Sequence, residues 1–221
     1  KTAMTIIATL LATLWAHPAA DPDSIARALE ERGARVVRED RGSGKVVVLL
    51  DCHRLAVADA DMAGIATLRE LEILDLSLTG LTDSGLLKLA GLNRLKQLTL
   101  FGAKITDKGM AVVSGMPAME SLFLAETAIG DATLARLTKL SSLRSIELDH
   151  TRVTDEGLRL LGSIPSLRRL ELNDNPRITD LGASRLAGLS NLTWVDLHGT
   201  GVTKNGAAKL QEALKRGRVV R

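Results

Sequence analysis

Histidines and carboxylates are the side chains of this sequence that could act together as acid, base or metal ligand. His53, His150 and His198 each stand at the end of a short run of alternating apolar residues, and Glu147 and Asp149 precede His150. A metal site needs several such groups around one ion. If the runs are strands about 4.8 Å apart, His53 is roughly 19 Å from His150, and His150 is about 10 Å from His198. We therefore expect these histidines to bind no metal, and the sequence indicates no cofactor.

Covalent catalysis has no motif to support it either. Cys52 is the only cysteine and precedes His53, an arrangement that would place a thiol beside a base. Alternation along a strand, however, puts Cys52 where the later runs carry a leucine, so we predict a small buried core residue. The sequence contains no G-x-S-x-G segment, phosphate-binding loop or dinucleotide-binding glycine pattern. It thus predicts a protein that is not an enzyme.

The apolar runs recur because the sequence repeats with a period of 24 residues. The units share the pattern L-x-x-L-x-L-x-x-T-x-(L/V)-T-D-x-G-L-x-x-L, in which the alternating opening predicts a strand and the later spacing of leucines predicts a helix. Aromatic residues are only 2% of the chain, which agrees with a stacked aliphatic core shared by all units. The seven units begin at Val47, Leu71, Leu95, Met119, Leu143, Leu167 and Leu192, and only the sixth is longer, by one residue near Asn175-Pro176.

A threonine-aspartate pair precedes the predicted helix in most units. Its hydroxyl and carboxylate can accept hydrogen bonds from the first amides of a helix, so we predict that both cap the helix of their own unit. The pairs are Thr82-Asp83, Thr106-Asp107, Thr154-Asp155 and Thr179-Asp180. Three units depart from T-D-x-G, with Ala58-Asp59-Ala60-Asp61, Gly130-Asp131-Ala132-Thr133 and Thr203-Lys204-Asn205-Gly206. We expect altered capping at these turns and no change of fold.

The repeated pattern resembles the leucine-rich-repeat family, and within it the subclass with an (I/V/L)-T-D-x-G-L segment found in substrate-recognition adaptors and many bacterial proteins. The resemblance covers residues 45–221. It implies an α/β fold, a right-handed solenoid with parallel strands on its concave face and short helices on its convex face. Residues 21–46 are predicted to form an N-terminal cap of a helix and a hairpin, and residues 47–221 the seven repeats, closed by a longer C-terminal helix.

The first twenty residues differ from the rest of the chain. Met4–Ala16 is an apolar run that follows Lys1 and precedes a stretch of small residues, the composition of a secretory signal peptide. It is shorter than the roughly 20 residues that span a bilayer, so we predict no membrane span. We expect residues 1–20 to direct secretion or periplasmic export. If the segment is retained instead, it is an apolar helix packed on the domain and the protein is cytoplasmic.

The concave face is predicted to hold the functional residues. The third, fifth and seventh places of each strand segment face outward there. Phe101, Phe123 and Trp194 all fall in these places, where the register exposes them, and the later units add a field of carboxylates. Exposed aromatic residues are frequent anchors at protein interfaces. The predicted partner-binding residues are Phe101, Phe123, Glu147, Asp149, Glu171, Asn173, Trp194, Asp196 and His198.

Charge indicates the kind of partner. The chain carries a net charge of +3, but its basic residues are interleaved with acidic ones and form no stripe for a nucleic-acid backbone. Basic residues gather outside the concave face, between Arg27 and Arg38 and between Lys215 and Arg221. We therefore expect a monomer that binds a protein or peptide of basic character. The alternatives are an intracellular adaptor that lacks its own F-box, because residues 21–44 are too few for one, and a structural spacer.

Overall fold

The computed structural model describes residues 21–42 and 44–221. The predicted signal peptide at residues 1–20 lies outside them. The first described elements are a helix, α1 (Pro22–Glu31), and an antiparallel hairpin of β1 (Arg35–Asp40) and β2 (Lys45–Asp51). Ile25 and Leu29 of α1 are buried in the same core as the leucines of the repeats. The helix therefore covers the apolar end of the stack, as a terminal cap must.

Nine strands of the described chain form one sheet in chain order, and every pair from β2–β3 onward is parallel. From β3 to β8 each strand has three residues, and the middle one is buried. Parallel neighbours joined through a helix make right-handed crossovers. The predicted solenoid is confirmed. The remaining strands are β3 (Ile73–Asp75), β4 (Gln97–Thr99), β5 (Ser121–Phe123), β6 (Ser145–Glu147), β7 (Arg169–Glu171), β8 (Trp194–Asp196) and β9 (Arg218–Val220).

Each repeat continues into a short helix on the side opposite the sheet. The third repeat has only a 3-10 helix (Gly109–Gly115), whose two valines, serine and glycines are poor α-helix formers. The α-helices are α2 (Met62–Ile65), α3 (Asp83–Leu86, continued by a 3-10 turn at Leu87–Leu89), α4 (Asp131–Leu137), α5 (Asp155–Leu161), α6 (Asp180–Arg185) and α7 (Lys204–Ala213).

The core is one column of aliphatic side chains. Leu74, Leu98, Leu122 and Leu170 occupy equivalent places in β3, β4, β5 and β7 and are all 0% exposed. Cys52 is buried at the strand's end, as predicted, and burial raises the pKa of its thiol to about 12. A thiol that stays protonated is a poor nucleophile, so Cys52 serves packing.

The T-D-x-G segment connects consecutive repeats, which the sequence interpretation missed. The Asp83 carboxylate accepts hydrogen bonds from the N–H and Oγ1 of Thr106 in the next repeat, at 2.8 and 2.6 Å. The prediction that the aspartate caps its own helix is therefore wrong, because its carboxylate turns toward the following unit. The same pair of bonds joins Asp59 to Thr82, Asp131 to Thr154, Asp155 to Thr179 and Asp180 to Thr203. We call this series the aspartate ladder.

The threonines only partly follow the prediction. Oγ1 of Thr154, Thr179 and Thr203 accepts a bond from an amide of its own helix, at 3.3, 3.3 and 3.0 Å. Thr82 makes no such bond. The threonine therefore donates to the preceding repeat in each case and caps its own helix in some.

The glycine of T-D-x-G leaves room for the carboxylate of the preceding repeat. A Cβ atom built on Gly206 would lie 2.0 Å from Oδ1 of Asp180, and one on Gly85 would lie 2.2 Å from Oδ1 of Asp59. Both are far below van der Waals contact. In the repeats that carry it, the glycine therefore leaves the space that the carboxylate of the ladder occupies, in spite of its low helix propensity.

Candidate protein-binding face

The strand register brings the predicted binding residues together on one face. Phe123, Glu147, Glu171 and Asp196 are register partners on four adjacent strands and form one row. Arg169 and Trp194 belong to a parallel row two residues earlier in each strand. The seventh places lie two residues beyond the ends of their strands and are occupied by Phe101, Asp149, Asn173 and His198. All nine predicted residues thus lie along the concave sheet, mostly between β4 and β8.

The two phenylalanines are less exposed than predicted. Phe101 and Phe123 are each partly buried, and Ala125 at the seventh place of the next repeat is only 2% exposed. Side chains on the concave face of a curved sheet converge, so large side chains reduce the solvent exposure of one another and of small neighbours. Phe101 follows β4 and Phe123 lies in the neighbouring strand β5, and we call these two apolar side chains the phenylalanine patch.

Beside this patch lies an acidic row with perturbed titration. Burial and the nearby charges of Glu171 and Asp149 raise the pKa of Glu147. Burial likewise raises the pKa of Asp149, together with the charges of Glu171 and Asp196, although the Asn173 N–H and side-chain amide donate to its carboxylate at 2.7 and 2.8 Å. Both shifts mean that the folded protein disfavours these negative charges.

The other two carboxylates of the face have cationic or ionisable neighbours. Arg169 Nε donates to Oε1 of Glu171 at 2.7 Å. Nδ1 of His198 lies 2.6 Å from Oδ1 of Asp196. Glu147 receives no hydrogen bond or ion pair from the described residues. It is therefore the least compensated charge in the row.

Trp194 is enclosed by arginines rather than open to solvent. The guanidinium carbons of Arg169 and Arg218, on the strands to either side, lie 5.1 and 5.4 Å from its ring centroid. Each such cation–π contact is worth about 0.5–1 kcal/mol at an exposed site. The indole Nε1 is buried without a partner in the described structure, as is Oδ1 of Asn173. The sequence placed Trp194 on the face but did not foresee this stack.

The histidines do not converge. His150 occupies a turn position with φ of +53°, outside the strand register, and its Nδ1 lies 3.5 Å from Asp174. Within residues 21–42 and 44–221, no three histidine, cysteine or carboxylate side chains gather in a way that could hold a metal ion.

Comparison with known proteins matches this geometry. A family model described as Leucine Rich repeat matches residues 67–90, 139–162 and 163–187. Three of the repeats are thus identified by sequence as leucine-rich repeats. Internalin C2 from Listeria monocytogenes has a similar structure, with a TM-score of 0.61 and 19% identity over 89% of this chain and 91% of that one. A leucine-rich-repeat protein from Leptospira interrogans gives a TM-score of 0.53 and 18% identity over 72% of this chain.

These similarities show the fold. The chain spans 45% of the length of the Leptospira protein. No curated protein sequence matches this chain. Leucine-rich-repeat solenoids offer extended concave surfaces to other proteins, so the fold supports a protein-interaction module in general. No helix in the described part of this solenoid is long and apolar enough to cross a membrane.

The basic residues near the N-terminal cap are mostly engaged within the solenoid. Arg38 donates to both Glu30 and Asp23 at 2.8 Å and holds the pKa of each carboxyl below its usual range. Arg32 pairs with Asp61 at 2.6 Å. These pairs join the cap to itself and to the first repeat. The sequence interpretation grouped the arginines correctly but did not foresee their partners.

Proposed function

We propose that this solenoid is a non-enzymatic binding module whose concave face holds a basic segment of a protein or peptide. The observation that carries the proposal is the row on the concave face in which Glu147 lies beside Glu171 and near Asp149, while no described residue donates a hydrogen bond to Glu147; the raised pKa of Glu147 agrees with this lack of compensation. Cationic side chains of a partner would supply the missing charge, and the carboxylates would select for them.

The contrast with carboxylates elsewhere in the molecule supports this assignment. Glu72 is bonded to Lys96 and Arg41, and these bonds lower its pKa. Glu72 is thus paired with two cations, whereas Glu147 lies near the charges of Glu171 and Asp149 and has no such partner among the described residues. Unfavourable charge concentrated on one surface is a feature of functional sites.

The phenylalanine patch adds an apolar anchor next to the acidic row. A segment that crosses the strands passes from Phe123 to Glu171 over two strand spacings, roughly 10 Å. An extended chain covers that distance in about three residues at 3.3 Å each. We therefore propose a partner with an apolar side chain and a lysine or arginine about three positions apart.

Binding to a defined probe tests this proposal. Isothermal titration with a peptide that spaces leucine and lysine in this way should show binding to the wild type that weakens with salt. Glu147→Gln/Glu171→Gln should bind several-fold more weakly. Glu31→Gln/Glu212→Gln removes the same charge from exposed helix positions away from the sheet and should bind like the wild type. Equal loss in both double variants would contradict a specific concave site.

The aromatic anchor needs a separate test. Phe101→Ala/Phe123→Ala should lose the peptide while it keeps the cooperative unfolding of the wild type. Leu87→Ala/Leu181→Ala removes two convex apolar side chains that are 45% and 58% exposed, and it should retain binding. A folded phenylalanine variant with unchanged affinity would remove the patch from the proposal.

We also propose that the protein is exported. The support is the apolar run Met4–Ala16 followed by small residues. Mass spectrometry of the mature N-terminus from a secretion-competent host should find cleavage near residue 20. An intact residue 1 would contradict export by a cleaved signal peptide.

A further inference from the structure

The last strand of the sheet has an outer edge that no strand of the described chain covers. On its inner edge, β9 pairs with β8 and bonds to the residues on either side of it: the Arg218 N–H donates to the Thr193 carbonyl at 2.9 Å and the Leu197 N–H to the Val220 carbonyl at 2.8 Å. Backbone groups alternate in direction along a strand, so those of Gly217 and Val219 face outward. Unpaired groups of this kind are a template for another strand.

A side chain from α7 occupies this outer edge. Nε2 of Gln211 donates to the Gly217 carbonyl at 2.7 Å, and the Val219 N–H donates to Oε1 of Gln211 at 2.9 Å. In a parallel ladder, one residue of the neighbouring strand donates to the carbonyl before its partner residue and accepts from the amide after it. The Gln211 amide makes both bonds. It takes the place of the backbone N–H and C=O of the residue that a further strand would place opposite Arg218.

We infer that the Gln211 side chain closes the C-terminal edge of the sheet against strand addition by a second copy of this chain. An incoming strand would have to displace two short hydrogen bonds before it could form its own. The inference concerns the end of the sheet and is independent of what the concave face binds.

Charge adds a second barrier to the same approach. Two copies that met through this edge would bring like charges together, which is unfavourable between paired strands. The basic residues around β9 are Lys215, Arg216, Arg218 and Arg221.

The helix layer ends in a corresponding way. Six repeats carry an aspartate that accepts hydrogen bonds from the next repeat, and the seventh has Lys204 at that place. A lysine cannot accept those bonds. The last repeat therefore lacks the carboxylate that joins the helix layers of the other repeats, and Gln211 occupies the outer edge of its strand.

Gln211→Ala tests the inference, with Glu212→Ala as control, since Glu212 is the next exposed residue of the same helix. Sedimentation velocity should show monomers for the wild type and for Glu212→Ala at low salt and at about 1 M salt, where the Debye length is about 3 Å. Gln211→Ala should form dimers or larger species at high salt. Monomers of Gln211→Ala at high salt, or equal association of Glu212→Ala, would overturn the inference.

Amide exchange supplies the second measurement. At low salt, where Gln211→Ala remains a monomer, its Val219 amide should exchange several-fold faster than in the wild type, while the Arg218 amide, bonded to Thr193, keeps its rate. An unchanged rate at Val219 would show that the Gln211 bond does not protect the edge. If the Val219 amide of Gln211→Ala exchanges faster but the variant does not associate at high salt, the bond exists but its loss does not permit strand addition, and the inference is overturned.

Discussion

The aspartate ladder predicts that one glycine substitution reverses its effect on stability when a single partner is removed. The three atoms nearest to a Cβ on Gly206 all belong to the Asp180 carboxylate, at 2.0, 2.4 and 2.9 Å. Gly206→Ala therefore forces the carboxylate out of its place, where it accepts from the Thr203 N–H and Oγ1 at 2.7 Å each. Overpacking of this kind destabilises a fold by about 1–3 kcal/mol.

Without the carboxylate, the same substitution should stabilise the protein. Gly206 lies in α7, and alanine is favoured over glycine within a helix by about 0.5–1 kcal/mol. In an Asp180→Ala background, Gly206→Ala should therefore raise the free energy of unfolding by about that amount. A change of sign in the effect of Gly206→Ala on the free energy of unfolding would show that the Asp180 carboxylate excludes the alanine, and not that the turn rejects any side chain at this position.

Urea denaturation of the four proteins of this double-mutant cycle measures the effect. The expected interaction between the two substitutions is about 1.5–4 kcal/mol, the sum of the lost clash and the helix gain. An equal loss of stability from Gly206→Ala in both backgrounds would refute the ladder as the reason for the glycine.

Three further predictions concern the turns, the acidic row and the thiol. Glu126 has φ of +56°, which asparagine tolerates better than glutamate, so Glu126→Asn should stabilise the protein by up to about 1 kcal/mol in urea denaturation. The pKa of Glu147 is raised in the fold, so the ionised side chain destabilises the protein at pH values above that pKa, and protonation removes this destabilisation as the pH falls. Glu147→Gln should therefore raise the midpoint of unfolding at neutral pH, and this gain should disappear toward pH 4. Cys52 should resist iodoacetamide at pH 8 until denaturant unfolds the chain, since burial raises its pKa to about 12.

The residues of the concave face were predictable from sequence because two periods determine them, the two-residue alternation within a strand and the 24-residue repeat. Alternation within the strand selects the outward places, and the repeat aligns those places across strands. The sequence therefore predicts that Glu147 and Glu171 lie in one row, and the strand register places them there. The enclosure of Trp194 was not predictable, because the side-chain directions of Arg169 and Arg218 depend on local packing. The repeat period of the sequence specifies which places face outward but not how their side chains pack.

The aspartate ladder was missed for a different reason. A carboxylate before a helix can bond to its own helix or to the next one, and sequence does not distinguish the two. One signal was present: a glycine in the first helical turn of most repeats is unfavourable unless another group approaches closely there. Gly85, with the Asp59 carboxylate against it, illustrates the group that this signal indicates.

The fourth repeat shows that the ladder depends on where a hydroxyl lies more than on the residue order. Gly130 stands at the threonine place and Thr133 at the glycine place, yet the Gly130 N–H and Thr133 Oγ1 still donate to Oδ1 of Asp107, at 2.9 and 2.5 Å. Thr133→Gly should therefore destabilise the protein by about 2–4 kcal/mol, from a lost bond to a charged group and a glycine in a helix. A Cβ on Gly130 would lie 3.5 Å from Oδ2 of Asp107, an ordinary contact within reach of a threonine hydroxyl.

Gly130→Thr added to Thr133→Gly should consequently restore most of that stability, because it rebuilds the arrangement of the other repeats. Urea denaturation of both single variants and the double variant checks this expectation. A double variant no more stable than Thr133→Gly alone would mean that Thr133 acts through packing in α4 and not through the Asp107 carboxylate. Recovery of stability in the double variant would show that the fourth repeat departs from the T-D-x-G pattern and still keeps the hydrogen bonds to the preceding aspartate that the pattern provides.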